Sequence, residues 1–325
     1  MREITWRQAV AEAIDEEMER DPNVFIIGED VGIFGGPLGQ LKGLFDKYGP
    51  ERVRDTPISE TAILGSAIGA AITGMRPIAD LMFCDFFGIA MDDFLNQLPK
   101  IRYVSGGQAK IPVTVMGVIG AGEQGGPHHS QCLEGLLMSI PGLKIVVPST
   151  PYDAKGLLKS AIREDNPVIF LGHRMLILTG LKSEVPEEEY VIPLGKADVK
   201  REGKDVTVVA TALMVHRALN AAAKLEERGI SLEVIDPRTL VPLDSQTIIN
   251  SVKKTSRLII MTEEPKTGSS AAEISAIVAE EALDFLDAPI KRVCAPNTPV
   301  PYSPVLEKFY MPDEEDLIKA VDEIL

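Results

Sequence analysis

Short β-branched apolar runs alternate with stretches of helical spacing along this chain, and that alternation restricts its fold more than any other feature. Residues 24–27, 77–83, 111–116, 143–147 and 168–171 each have the length and composition of a strand buried on both faces. Helical stretches separate them, after Glu60 and from near Ile89 to Val104, so a mostly parallel sheet is expected. Ahead of the first strand, Trp6, Val10, Ile14 and Met18 recur on one helix face with acids between them. The periodicity lapses between about 174 and 196, where Lys182-Ser183-Glu184-Val185-Pro186-Glu187-Glu188-Glu189-Tyr190 reads as a linker. Strands resume at 206–210, 231–235 and 257–261, with helices over 215–227 and 270–286. Asp313-Glu314-Glu315-Asp316 reads as the first turn of a final helix. Two α/β domains, 1–185 and 195–325, suit a chain of 325 residues.

Charge and cysteine usage remove several classes of function. With 33 basic against 48 acidic residues the net charge is −15, which argues against nucleic-acid or anionic-membrane binding and is compatible with a basic protein partner. No apolar run has the length of a membrane span, and the N-terminal pattern is unlike a signal or transit peptide, so a cytoplasmic location is expected. Cys84, Cys132 and Cys294 lie far apart without CxxC spacing and read as reduced thiols.

Several local patterns carry candidate chemistry. Pro57-Ile58-Ser59-Glu60 is a proline-led turn that delivers a carboxylate to the first turn of a helix rich in Gly and Ala. Taken alone, Glu60 also reads as an ordinary acid favoured by the positive end of that helix. Gly28-Glu29-Asp30-Val31-Gly32 follows the first strand, at the carboxyl edge where parallel sheets hold ligands, or forms a turn with solvated acids. Gly120-Ala121-Gly122-Glu123-Gln124-Gly125 matches GxGxxG, yet Gly126-Pro127 prolong the loop where a dinucleotide site needs a helix. The same loop presents His128-His129-Ser130-Gln131 at the start of a helical run, as a proton-transferring histidine or one that caps or packs under the helix. Phe86 and Phe87 end the run at 77–83 and read as core aromatics.

Taken together, Gly28-Glu29-Asp30-Val31-Gly32, Asp55-Thr56-Pro57-Ile58-Ser59-Glu60, Gly74-Met75-Arg76-Pro77, His129-Ser130-Gln131, Pro141-Gly142-Leu143-Lys144 and Ala161-Ile162-Arg163 resemble the β subunit of thiamine-diphosphate-dependent 2-oxo acid dehydrogenases. Asp236-Pro237-Arg238-Thr239-Leu240-Val241-Pro242-Leu243-Asp244, Glu263-Glu264 and Pro299-Val300-Pro301-Tyr302 extend the resemblance over nearly the whole chain. It implies a pyrimidine-binding parallel-sheet domain followed by a transketolase C-terminal-type α/β domain, in an assembly of two α and two β chains. The family's Gly-Asp-Gly motif is absent here, which implies that the α subunit holds the magnesium and the diphosphate. The implied activity is decarboxylation of a 2-oxo acid and transfer of the acyl group to the lipoyl arm of an acyltransferase component.

By the same resemblance, Glu60 matches the carboxylate that bonds a pyrimidine nitrogen of the cofactor. Ile58 and Phe86 match cofactor contacts, and Glu29 matches an acid behind Glu60. His129 matches the histidine that faces the substrate and the incoming lipoyl group, while His128 has no family role. The backbone carbonyls of Val113, Ala161, Ile162, Glu164 and Asn166 match a potassium site of some relatives. Gly125-Gly126-Pro127-His128 and Gly172-His173-Arg174 depart from the family pattern near the pocket. Leu81-Met82-Phe83, Asp85-Phe86 and Pro148-Ser149-Thr150-Pro151-Tyr152-Asp153 look most like acetoin dehydrogenase β chains. A subunit that mainly docks the acyltransferase core is the reading from another class, since the acidic charge suits a basic binding domain.

Overall fold

Two compact units make up the computed structural model, which describes residues 1–325. The first comprises Met1–Ile119 and Leu137–Leu194, and the second comprises Gly120–Leu136 and Gly195–Leu325. The excursion of Gly120–Leu136 into the second unit is a feature that no linear reading of the chain anticipates.

The first unit begins with β1 (Arg2–Thr5), α1 (Trp6–Arg20), β2 (Val24–Gly28), α2 (Leu44–Tyr48), β3 (Val53–Asp55), α3 (Glu60–Ile72) and β4 (Arg76–Phe83). There follow α4 (Ile101–Val104), β5 (Thr114–Ile119), α5 (Glu134–Met138), of which only the last two residues belong to this unit, β6 (Lys144–Val146), α6 (Pro151–Arg163), β7 (Val168–His173), α7 (Arg174–Leu178) and β8 (Lys182–Val185). Its strands run parallel in the order β6-β7-β5-β4-β2-β3, so the ends of β2, β3 and β4 share one edge. Trp6, Val10, Ile14 and Met18 are buried, as their spacing requires. Of the acids between them, Glu12, Glu16 and Glu17 pair with α6, and Asp15 pairs with Lys47 of α2. Lys155 and Lys159 are only 2% and 1% exposed, and their ammonium groups meet Glu16 at 2.6 Å each.

Sequence and structure differ at several places. Residues 182–185 form β8, which pairs antiparallel with β1, so the polar run does not begin as a linker. Alternating residues can satisfy an isolated two-stranded ladder without an apolar run, and hydropathy gives no sign of it. The stretch from Ile89 to Val104 is not one helix. A 3-10 turn at Cys84–Gly88 and a π-helical turn at Asp93–Gln97 precede α4, and Pro99, which has no N–H to continue the ladder, separates the π turn from α4. For the same reason the strand expected from 111 starts at Thr114, beyond Pro112. The helix expected over 270–286 ends at Glu281, and no helix opens at 128–131, where the next begins at Glu134.

The second unit continues with β9 (Asp198–Arg201), β10 (Val206–Ala210), α8 (Leu213–Glu226), β11 (Leu232–Asp236), β12 (Thr239–Val241), α9 (Ser245–Thr255) and β13 (Leu258–Pro265). It closes with α10 (Ser270–Glu281), β14 (Lys291–Ala295), α11 (Pro304–Tyr310) and α12 (Glu314–Asp322). The sheet order is β14-β13-β10-β11-β9, with β9 antiparallel to β11 and the other pairs parallel. Its apolar strands feed two cores by alternation: Val208, Val234 and Ile259 pack with α8 and α12, whereas Val209, Ile235 and Ile260 pack with α9 and α10. Asp313 caps α12 through a capping box with Asp316, which accounts for the acidic run there.

Candidate active site

At the common edge of the first sheet, β2 runs out into Glu29, β3 into the turn before Glu60, and β4 into the turn that carries Phe86. Glu60 is the first residue of α3 and is buried, 7% exposed, although Ser59 makes no side-chain cap bond. The Ser59 hydroxyl instead donates to the Pro57 carbonyl at 2.9 Å, fixing the turn that delivers the carboxylate. Burial, together with the charges of Asp30 and Glu60, holds the Glu29 carboxyl above its usual range. Asp55 sets the turn around Glu29: its carboxylate accepts from Gly32 N at 2.6 Å, and a Cβ on Gly32 would sit 2.3 Å from it. Ile58 stands 74% exposed beside the buried acid.

Phe86 and Phe87 part company. Phe87 is core, stacked on Phe94 at 4.7 Å and pressed against Gly117, where a Cβ would lie 2.5 Å from the ring. Phe86 is only half-buried, edge-on to Phe83 at 6.0 Å, and Arg174 lies over the other aromatic, 4.9 Å from the Phe83 ring centre. A bulge between Asp80 and Phe83 makes this turn, with Met82 in the left-handed region at φ 59. Asp80, absent from the sequence-derived candidates, braces it by accepting from Met82 N at 2.9 Å and from the Gln40 amide at 3.2 Å. Burial pushes its carboxyl up to about 6. An acid inside a run as apolar as β4 is the signal that marks it.

Four of the five carbonyls matched to a potassium site, those of Val113, Ala161, Ile162 and Glu164, already accept hydrogen bonds. Arg76 donates Nε to Ile162 O at 2.9 Å and Nη2 to Glu164 O at 2.8 Å, and pairs with Asp165 at 3.1 Å. Val113 O accepts from Val168 N and Ala161 O from Glu164 N, at 3.0 and 3.2 Å. The Asn166 side chain is held between Arg102 at 2.7 Å and Glu164 at 2.6 Å. No group of three or more His, Cys, Asp or Glu side chains is arranged to hold a metal ion.

In the second unit, the Gly120–Leu136 loop exposes His128 and His129 and buries Ser130, Cys132 and Glu134. Its bends rest on close approach: on Gly126 a Cβ would lie 2.3 Å from the Tyr302 ring, and on Gly135 2.1 Å from the Gly268 carbonyl. Burial, then the nearby charges of Glu264 and Glu263, raise the Glu134 carboxyl well above its usual range, and burial raises that of Glu264. Ala121 N donates to Glu263 Oε1 at 2.6 Å and Gly135 N to Glu264 Oε1 at 2.7 Å. The candidate residues thus fall into two groups, Glu29, Ile58, Glu60 and Phe86 in the first unit and His129 in the second.

Residues 2–178 match the family described as transketolase, pyrimidine binding domain, and residues 195–317 match transketolase, C-terminal domain. A solved structure described as "Split gene transketolase, inactive beta4 tetramer" has a TM-score of 0.81 and 25% identity, over 99% of this chain and 98% of that one. The fold is therefore of the two-domain transketolase type. The chain is 50% identical to the acetoin:2,6-dichlorophenolindophenol oxidoreductase subunit beta of Bacillus subtilis (strain 168), over 100% of this chain and 98% of that one. It is 47% identical to the 2-oxoisovalerate dehydrogenase subunit beta and 44% identical to the pyruvate dehydrogenase E1 component subunit beta of that organism, each over 100% of this chain and 99% of the relative. This chain belongs to the family of oxidoreductase beta subunits that includes the acetoin, 2-oxoisovalerate and pyruvate dehydrogenase components.

Proposed function

We propose that this chain is the beta subunit of a thiamine-diphosphate-dependent component that decarboxylates a 2-oxo acid and reductively acylates a lipoyl group. The observation that carries the reading is the Glu60 carboxyl, buried at the start of α3 with the raised carboxyl of Glu29 beside it. An aminopyrimidine ring needs a carboxyl group out of bulk water to share a proton with its nitrogen, and flat apolar contacts for its faces. Glu60 meets the first need, and half-buried Phe86 and exposed Ile58 suit the second. When bound, the cofactor supplies the carbanion-stabilising chemistry for cleavage next to a carbonyl. In this reading Glu60 holds the proton at the pyrimidine nitrogen, Glu29 lies behind it as a second acid that tunes that proton, and His129 meets the substrate and the lipoyl group.

An alpha subunit, in a complex of two alpha and two beta chains, would supply the magnesium and the donors for the diphosphate. The acyltransferase component would supply the lipoyl arm, with the complex in the cytoplasm. A potassium ion at Val113, Ala161, Ile162, Glu164 and Asn166 would share two carbonyls with Arg76, each through its second lone pair. Acetoin is the second reading of the substrate, favoured by identities of 50% and 49% to two acetoin oxidoreductase beta subunits.

The test is turnover of the chain purified with its alpha subunit, against 2-oxo acids and acetoin, with an artificial acceptor and with a lipoylated one. Glu60→Gln is expected to lower turnover by about 10³, within the range for a positioned proton-transfer group. Unaltered turnover in the Glu60→Gln, His129→Ala double variant would sink the catalytic reading and leave a subunit that docks the core.

A further inference from the structure

The glycine run that matches a dinucleotide fingerprint already has an occupant. Gly120, Gly122, Gln124 and Gly126 lie in the left-handed region at φ 91, 115, 57 and 68. Left-handed residues at every second position curl a backbone so that successive N–H groups turn inward around an anion. Here that anion belongs to the protein. Gly122 N and Gln124 N donate to the Glu307 carboxylate of α11 at 2.9 and 3.0 Å, next to the Ala121 bond to Glu263. Gln124 is the informative position, because a residue with a Cβ holds φ 57 only where its surroundings repay the cost.

Ala121 joins a small cluster with Ala295, Val300, Tyr310 and Met311, but a cavity of about 280 Å³ adjoins Pro127, Gln131, Cys132 and Leu133. The chain on either side of the exposed histidines is thus hung from buried carboxylates, Glu307 and Glu263 at one end and Glu264 at the other.

We propose that Glu307 is a positioning residue for the reaction: its carboxylate fills the 122–124 nest and thereby fixes where the loop presents His129. This rests on the role given to His129 above. Glu307→Gln keeps the size of the side chain but removes its charge and sets an N–H2 against Gln124 N in place of the second carboxylate oxygen. Glu307→Ala vacates the nest, leaving room for a small carboxylate from solution.

The experiment uses the chain assembled with its alpha subunit. In Glu307→Gln, amide hydrogen exchange over 120–136 is expected to rise about tenfold or more while 60–72 stays unchanged, which also confirms folding. Turnover with the lipoylated acceptor should fall about 10- to 100-fold, and the Glu307→Gln, His129→Ala double variant should be no slower than His129→Ala alone. Formate should restore part of the activity of Glu307→Ala and none of that of Glu307→Gln. Unchanged exchange over 120–136, or losses that multiply in the double variant, would overturn the proposal. Full turnover in His129→Ala would remove the role given to His129, and the exchange measurement would then decide for Glu307 alone.

Discussion

The strand-end acid Glu60 and the histidine loop at Gly120–Leu136 are held in place by opposite means. Glu60 is placed by its immediate neighbours, a proline-led turn tied by Ser59 to Pro57 and a helix that starts at the acid itself. His129 is placed by residues far along the chain, Glu263, Glu264 and Glu307, whose carboxylates take the backbone N–H groups on either side of it. A locally set side chain inherits the rigidity of its sheet and helix. One hung from remote carboxylates moves when any of those bonds is lost, so the second region should be the more readily loosened of the two.

The largest expected effect is on the local side of this contrast. Glu60→Gln should cost about 10³ in turnover, close to 4 kcal/mol, with no change in unfolding temperature. A fall in both would mean that Glu60 also holds the turn together. Beneath that edge, Asp80 should shape the pH dependence of stability. Its folded-state carboxyl lies near 6, above the unfolded value, so the folded chain holds the extra proton between the two. Stability therefore falls as pH rises from about 4 to about 6 and stays lower above that. Asp80→Asn should flatten this slope, as urea unfolding across pH would measure.

Gly135→Ala probes the remote side. A methyl group 2.1 Å from the Gly268 carbonyl has to push the loop away, at about 2 kcal/mol, and should speed amide exchange over 120–136 but not over 60–72. Equal acceleration in both segments would erase the distinction between the two regions. The smallest effect is expected from Thr5→Ala, which removes the capping box between Thr5 and Gln8 at the start of α1. About 1 kcal/mol should be lost in denaturant unfolding, with turnover unaffected.

The contrast also explains what was legible beforehand. Strand order along the chain, the buried face of α1, the start of α3 at Glu60 and the acidic start of α12 all follow from spacing within a few residues. The π turn before Pro99 and the strand pairing of 182–185 with 2–5 leave no mark in local sequence, because one depends on a single missing donor and the other on a partner at the far end of the unit. Glu263 and Glu264 stand out in the sequence as two acids ending an apolar strand, but nothing local says that Glu264 binds Gly135. Phe86 and Phe87 look alike in sequence, and only the contacts of Phe87 with Gly117 and Phe94 show which of them belongs to the core.

By itself the sequence determined the alternation of strands and helices, the two α/β sheets and the delivery of Glu60 to a helix start, because short-range periodicity and turn chemistry act within reach of each residue. Only the tertiary structure decided that Gly120–Leu136 joins the second unit, that its glycines enclose Glu307 rather than a nucleotide phosphate, and that Asp80 braces a bulge in β4. Those outcomes depend on which distant carboxylate meets which backbone N–H group, and chain folding brings the two together with no trace in local spacing.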